Sequence, residues 1–182
     1  MNIEKILLNK NVVMSINQNM DSLLAYIPEI ESMIGFDQKH PHHNYDLWNH
    51  TLLSLYVAEE NYFQDYDVRL ALLLHDIGKP MSCVDGEVRH YHNHEIYSYK
   101  MAQCVLDRFN YSKDFKNIVL YLIRNHDCAI SDDLIKNDPV LAEKLYEVQY
   151  CDVFAHNPRY LKKRIEYLEN TRVKIIKRGR TR

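Results

Sequence analysis

Glycine is scarce in this chain, at four of 182 positions: Gly35, Gly78, Gly86 and Gly179. All-β folds and Rossmann-type sheets need glycines in tight turns and phosphate loops, so the shortage points away from both and toward helices. The four cysteines, Cys83, Cys104, Cys128 and Cys151, are widely spaced and form no Cys-x-x-Cys pair. That pattern excludes a zinc-ribbon or disulfide framework and fits reduced thiols. Missing too is any apolar run of membrane-spanning length. The N-terminal MNIEKILLNK carries charges inside its apolar stretch and reads as neither signal peptide nor span. What remains is 46% hydrophobic and 26% charged, which fits one domain with a sizeable core. The expectation is an all-α, cytoplasmic protein forming a single domain over 1–182, without a membrane partner.

Charge is distributed unevenly. Residues 172–182 hold six of the 23 Lys and Arg and none of the 25 acids, leaving a net −8 for the rest. A basic end of this kind is either a solvated tail or a contact for phosphate backbones such as RNA.

Helix boundaries are marked by caps and breakers. Asp67 precedes VRLALLLHDI, with Gly78 as a terminal glycine and Pro80 as a stop. Asn93 is placed to cap HEIYSYKMAQCVLDRF, and Ser112 to cap KDFKNIVLYLIRNHD. Asp138-Pro139 and Asn157-Pro158 each read as a cap followed by proline at the first helical position. Asp46 to about Tyr62 forms a further helix. A broken pair spans Asn19 to Ile34, divided by Pro28 and ended by Gly35. Met81 to Tyr91 reads as a loop or small hairpin around Asp85-Gly86.

Polar residues occupy positions where a core is expected. His50 falls on the face Leu47, His50, Ser54, Val57; His75 and Asp76 end the apolar run Leu70 to Leu74; His94 leads the face Tyr97, Met101, Val105. His126 continues Phe115, Val119, Leu122, and Asp152 interrupts the stripe Leu141, Leu145, Val148, Ala155. A single inward histidine is ordinarily a hydrogen-bonded core residue. Five helices aiming His or Asp at one interior are a different matter. Two buried carboxylates cost several kcal/mol each in desolvation, on the order of the penalty for an unpaired ion, unless a cation offsets it. Imidazole with carboxylate suits Fe, Mn, Co, Ni or Zn, and no cysteine shares these faces.

The order His50, His75-Asp76, His94, His126, Asp152 resembles the HD-domain superfamily of metal-dependent phosphohydrolases. HNYDLWNHT (His43 to Thr51), LLLHDIGKP (Leu72 to Pro80), HYHNHE (His90 to Glu95) and IRNHD (Ile123 to Asp127) are similar to the HD domain of bacterial tRNA nucleotidyltransferases. The likeness runs from about Asp37 to Glu169, on a domain core of about 37–170. Asn93 departs from it, standing where glycine is usual. The polymerase domain of those enzymes has no counterpart here, so the resemblance implies a stand-alone HD domain and does not extend to CCA addition.

The resemblance implies that His50, His75, Asp76 and Asp152 hold one divalent metal, and that Asp76, His94 and His126 hold a second, with Asp76 bridging. Two such ions share a hydroxide and stabilise attacking and leaving oxygens on phosphorus. The implied activity is hydrolysis of a phosphomonoester or phosphodiester of a nucleotide or RNA end, on one or two ions. Lys79 either neutralises substrate phosphate or simply favours a helix C-terminus. Asp46 either orients His50 or starts its helix. Asp127 directly follows His126 and is not counted as a ligand. His90 and His92 read as loop residues, and His40, His42, His43 and His156 as structural or exposed. Two alternatives use the same residues: a di-iron oxygenase on the same scaffold, and a non-catalytic nucleotide- or RNA-binding module.

Overall fold

The computed structural model describes residues 2–179. Its centre is a short helix that is buried on every side. Helix α5 (Tyr66–Leu74) buries every residue from Asp67 to Leu74, which is how a helix reads when neighbours cover it on all sides. Around it stand α1 (Ile3–Leu7), α4 (Leu47–Glu60), α8 (Lys113–Asn125) and α10 (Pro139–Phe154). Helices α2 (Val12–Gln18) and α3 (Met20–Tyr26) join α1 to a 3-10 turn at Pro28–Met33. Gly35 ends that turn at φ +68, a left-handed conformation open to glycine. The short α6 (Lys79–Ser82) leads into an antiparallel pair, β1 (Cys83–Val84) and β2 (His90–Tyr91), with Cys83 opposite Tyr91. Helix α7 (His94–Asp107) packs on α8, while α9 (Asp132–Asn137) and the long α11 (Lys162–Gly179) close over α10. Among the described residues the β1–β2 pair is the only sheet, so the fold class is all-α.

Several expected caps are present. Asp46, Ser112 and Asp138 accept hydrogen bonds from the backbone N–H groups of Asn49, Phe115 and Leu141. Others differ. Asp65, not Asp67, precedes α5, and Asp67 instead pairs with Lys144 at 2.9 Å. Gly78 does not end a helix in a left-handed turn; its φ is −88 and it leads into α6, with Pro80 inside that helix. The need for glycine there is close approach: a Cβ would lie 2.2 Å from the Ser98 nitrogen of α7. The Gly78 N–H donates to Ser98 Oγ at 3.0 Å. Asn93 makes no side-chain cap; it adopts φ 58, ψ 29. Asparagine tolerates that region, which accounts for its standing where glycine is usual. Asn157-Pro158 opens only the 3-10 turn Pro158–Tyr160 before α11 begins.

The basic end is no free tail up to Gly179. It continues α11, burying Thr171 and Ile175. Arg172 pairs with Glu143 at 2.6 Å and Lys174 with Asp132 at 2.8 Å. The remainder, 180–182, lies outside the described residues. No helix among the described residues is long and apolar enough to cross a membrane.

Candidate metal centre

Three helices end at one point. Helix α5 stops at Leu74, α8 at Asn125 and α10 at Phe154, and each is followed within two residues by a histidine that folds back. His75 Nδ1–H donates to the Leu72 carbonyl at 2.7 Å, His126 Nδ1–H to Ile123 at 2.7 Å, and His156 Nδ1–H to Asp152 at 2.7 Å. These bonds satisfy carbonyls that a helix end leaves open. They also fix the tautomer, because a carbonyl can only accept; Nδ1 carries the hydrogen and Nε2 is free. His94 and His50 follow the same rule, with Nδ1 facing Tyr91 O at 3.2 Å and Ala155 O at 3.3 Å. Three negative helix ends therefore surround one spot, which favours a cation there.

The chain after Leu74 turns out of the helix, so both His75 and Asp76 point inward. Asp76 lies between two groups of donors. In the first, donor atoms of His50, His75, Asp76 and Asp152 are all within 4.8 Å of one another; in the second, so are those of Asp76, His94 and His126. His75 Nε2 is 3.2 Å from Asp76 Oδ2 and 3.5 Å from Asp152 Oδ1, and His50 Nε2 is 3.0 Å from Asp152 Oδ1. On the other side, His94 Nε2 and His126 Nε2 stand 3.3 and 3.7 Å from Asp76 Oδ1. All of these residues are buried except His94, which is half-buried.

The polar atoms at this centre are not satisfied by the protein. His75 Nε2 and both oxygens of Asp76 have no hydrogen-bond partner, even though Lys79 Nζ approaches Asp76 Oδ2 to 2.7 Å. That approach balances charge without meeting the geometry of a hydrogen bond. His94 Nε2 and His126 Nε2 face each other at 3.2 Å. With both Nδ1 atoms committed to carbonyls, those two nitrogens need a shared proton or a cation between them. Such orphaned and opposed donors, gathered inside the bundle, fit a divalent ion. The buried His/Asp cluster can thus bind a divalent metal.

Electrostatics follow the same division. Burial works against a charge on His75, yet the Asp76 and Asp152 carboxylates push its pKa up to about 10. Burial likewise opposes ionisation of Asp76, but His75 and Lys79 hold its carboxyl well below the usual range. Asp152 is held low against burial by His156 and His50. Burial opposes charge on His94, and Asp76 raises its pKa nevertheless. Burial lowers that of His126.

The remaining expected residues divide. Lys79 is buried at the start of α6, not at a helix C-terminus, and donates to Gln38 Oε1 at 3.2 Å while facing Asp76. The Asp46 carboxylate does not orient the His50 ring; it caps α4 and accepts from the Asn49 side chain, while the Asp46 carbonyl accepts the His50 backbone N–H at 2.9 Å. His90 and His92 are exposed and stack on each other. Asp127, set aside on helical spacing, stands 3.4 Å from His94 Nε2 and 3.6 Å from His126 Nε2. The spacing argument fails because α8 has ended two residues earlier. His43 and His156, expected to be structural, pack their rings 5.2 and 5.0 Å from that of His50. The cluster HPHH at 40–43 was the available signal. Outside the cluster opens a cavity of about 410 Å³, whose walls include Lys79, His94, Asp127, His156 and Arg164.

A helical bundle enclosing this His/Asp cluster defines the class, and the chain belongs to the HD domain family, whose model matches residues 47–176. That family is one of metal-dependent phosphohydrolases. Among its relatives is a multifunctional CCA protein of Legionella pneumophila (strain Lens), 28% identical over 110 residues, covering 60% of this chain and 26% of that protein. Those of Nitrosospira multiformis and Acinetobacter baumannii are 31% identical over 107 residues and 32% over 111, covering 58% and 60% of this chain and 25% and 26% of theirs. The chain spans about a quarter of the length of the curated relatives it matches.

Proposed function

We propose that this domain hydrolyses a phosphomonoester or phosphodiester of a nucleotide or RNA end, using two divalent ions held by six side chains. His50, His75, Asp76 and Asp152 hold the first ion; Asp76, His94 and His126 hold the second. The observation that carries the reading is the opposed pair His94 Nε2 and His126 Nε2, 3.2 Å apart beside Asp76 Oδ1. A second ion there would satisfy both nitrogens and Asp76 Oδ1 together, which a shared proton between the two rings would not. When bound, the ions supply Lewis acidity, lowering the pKa of water and neutralising charge on phosphate. Their identity falls within Fe, Mn, Ni, Co and Zn by donor type.

The protein's own part is preorganisation. The Nδ1–carbonyl bonds lock each imidazole in place, as outer partners do in metal sites generally. Lys79 faces Asp76 Oδ2 at 2.7 Å and also lines the cavity, where its ammonium would meet substrate phosphate. Arg164, on the opposite rim, is 3.7 Å from Asp127 and offers a second cation. Arg159, Lys162 and Lys163 flank it in sequence without an intervening acid, which suits a polyanionic substrate.

The test is metal analysis of freshly purified protein, followed by turnover of aryl phosphomonoesters, bis-aryl phosphodiesters and 2′,3′-cyclic nucleotides with added Mn, Co, Ni or Fe. Two ions per chain and metal-dependent hydrolysis are expected. Equal turnover by Asp76→Ala, or none in fully loaded protein, overturns the reading. Oxygen consumption by the ferrous form without phosphate release would assign the scaffold to oxygenase chemistry instead.

A further inference from the structure

One wall of the cavity is built to keep an aromatic ring in solvent. Tyr160 is 50% exposed, lies in the 3-10 turn Pro158–Tyr160 and lines the same cavity as His94 and Lys79. His42, also exposed and also on this wall, packs its ring 4.8 Å from that of Tyr160. His40 meets His42 edge-on at 4.8 Å.

These rings come from two loops far apart in sequence, and Asn157 ties the loops together. Its N–H donates to His42 O at 2.8 Å, its Nδ2 donates to Pro41 O at 3.0 Å, and its Oδ1 accepts from Arg159 N–H at 3.2 Å. Pro41 and Pro158 stiffen both sides. An exposed tyrosine on a flexible loop is unremarkable. A fold that commits one side chain and three hydrogen bonds to hold a half-exposed ring at the mouth of a buried polar centre has fixed a binding surface.

We propose that the His42–Tyr160 wall is a stacking platform for a planar heteroaromatic ring attached to the phosphate that enters the metal centre. The proposal rests on the phosphohydrolase reading and assigns the residues that would hold the base of such a substrate. The chemistry of the wall sets the ring type. Tyr160 and His42 bring aromatic rings to this wall, and His156 and Arg164 bring hydrogen-bonding groups to the same cavity. A nucleobase uses both; a sugar phosphate offers hydroxyls but no ring to stack, and an alkyl phosphate offers neither.

The experiment uses zinc-loaded protein and two ligands with an uncleavable C–P bond: adenosine 5′-methylenephosphonate and ethylphosphonate. Calorimetry reads affinity, and proton NMR reads the adenine H2 and H8 resonances. The adenosine ligand is expected to bind roughly 5- to 150-fold more tightly, the range for one base stacked on one aromatic side chain, with both adenine protons shifted upfield. Tyr160→Phe keeps the gap and the shifts. Tyr160→Leu, which retains apolar area without a π face, loses both while ethylphosphonate affinity stays unchanged. Equal affinity of the two ligands for the wild type, or a gap and shifts that persist in Tyr160→Leu, overturns the platform. Because no bond is cleaved, this result is independent of turnover. Protein that binds as described yet hydrolyses no ester would overturn the parent reading alone.

Discussion

Arg69 and Asp76 lie seven residues apart, and both are buried to within 1%. Yet the fold treats them oppositely. The guanidinium of Arg69 is met by main-chain oxygens: its Nη1 donates to Leu7 O at 2.6 Å and its Nε to Phe63 O at 2.8 Å, leaving only Nη2 without a partner. Leu7 ends α1, so the cation also sits at the negative end of a helix dipole. Asp76 receives no main-chain donor. Around it are imidazole Nε2 atoms and an ammonium that approaches off-axis. A buried charge answered by backbone ties segments together. A buried charge answered by other unsatisfied side chains is half of a receptor.

The sharpest way to break this contrast is to exchange the consequences. Asp76→Asn is expected to lose both ions and to lower kcat/KM by about 10³-fold or more, the scale on which metal and preorganised charge support hydrolysis. Its thermal unfolding without metal should remain cooperative. Arg69→Met should do the reverse. It strands the Leu7 and Phe63 carbonyls at about 1–3 kcal/mol each, so roughly 2–6 kcal/mol of stability goes while the ion content of the folded fraction stays at two. Inductively coupled plasma analysis beside denaturant unfolding separates the cases. If folded Arg69→Met also lacks metal, the two regions are one unit and the contrast fails.

A second comparison divides the cluster itself. The first donor group is enclosed, whereas the second opens through half-buried His94 and exposed Asp127 to the cavity. His94 is the first residue of α7, and α7 is positioned against Gly78. Gly78→Ala drives a Cβ into the Ser98 backbone. It should cost about 1–3 kcal/mol as overpacking does and should weaken the second ion while sparing the first. Two-step metal titration reads this directly; parallel weakening of both ions would show that α7 carries no separate duty.

Ion binding should also track pH. Metal-free His75 keeps its proton up to about pH 10, because Asp76 and Asp152 outweigh the burial that opposes it. The ion needs the neutral ring, so loading releases that proton. Affinity then rises about tenfold per pH unit for each proton displaced as pH increases from 6 to 8. Calorimetry in buffers of different ionisation enthalpy counts the protons. A count of zero at pH 7 would mean that Lys79 alone balances Asp76.

The helices and the inward residues were legible because they depend on periodicity and on caps. Ser112, Asp138 and Asp46 act locally, and His50, Asp76 and Asp152 break apolar stripes that the chain itself displays. What escaped depends on chain direction after a helix stops. Asp127 reaches the cluster because α8 ends at Asn125, and His156 because α10 ends at Phe154. Gly78 was read as a helix terminator, since a Cβ clash with a helix 20 residues onward leaves no local mark. Tyr160 and His42 meet where Asn157 bonds two distant loops, a long-range contact that spacing cannot reveal.

Glu147 supplies the third term of the comparison, a partly buried carboxyl offered neither backbone donors nor a metal cluster. Burial, together with the negative charges of Asp65 and Glu143, raises its pKa to about 7, with Lys144 and Arg172 only partly compensating. The folded state thus holds its proton more tightly than the unfolded chain, where the group titrates near 4.5. Stability from this residue is therefore highest below pH 4.5, falls as pH rises through that value toward 7, and is lowest above 7. Glu147→Gln removes the dependence. Because the side chain is only partly buried, solvent screening limits the gain to about 1 kcal/mol at pH 8, vanishing at pH 4.5. Urea unfolding of both proteins at the two pH values measures it. A gain equal at both would show that the penalty is one of packing, and that Glu147 differs from Asp76 in shape and not in charge.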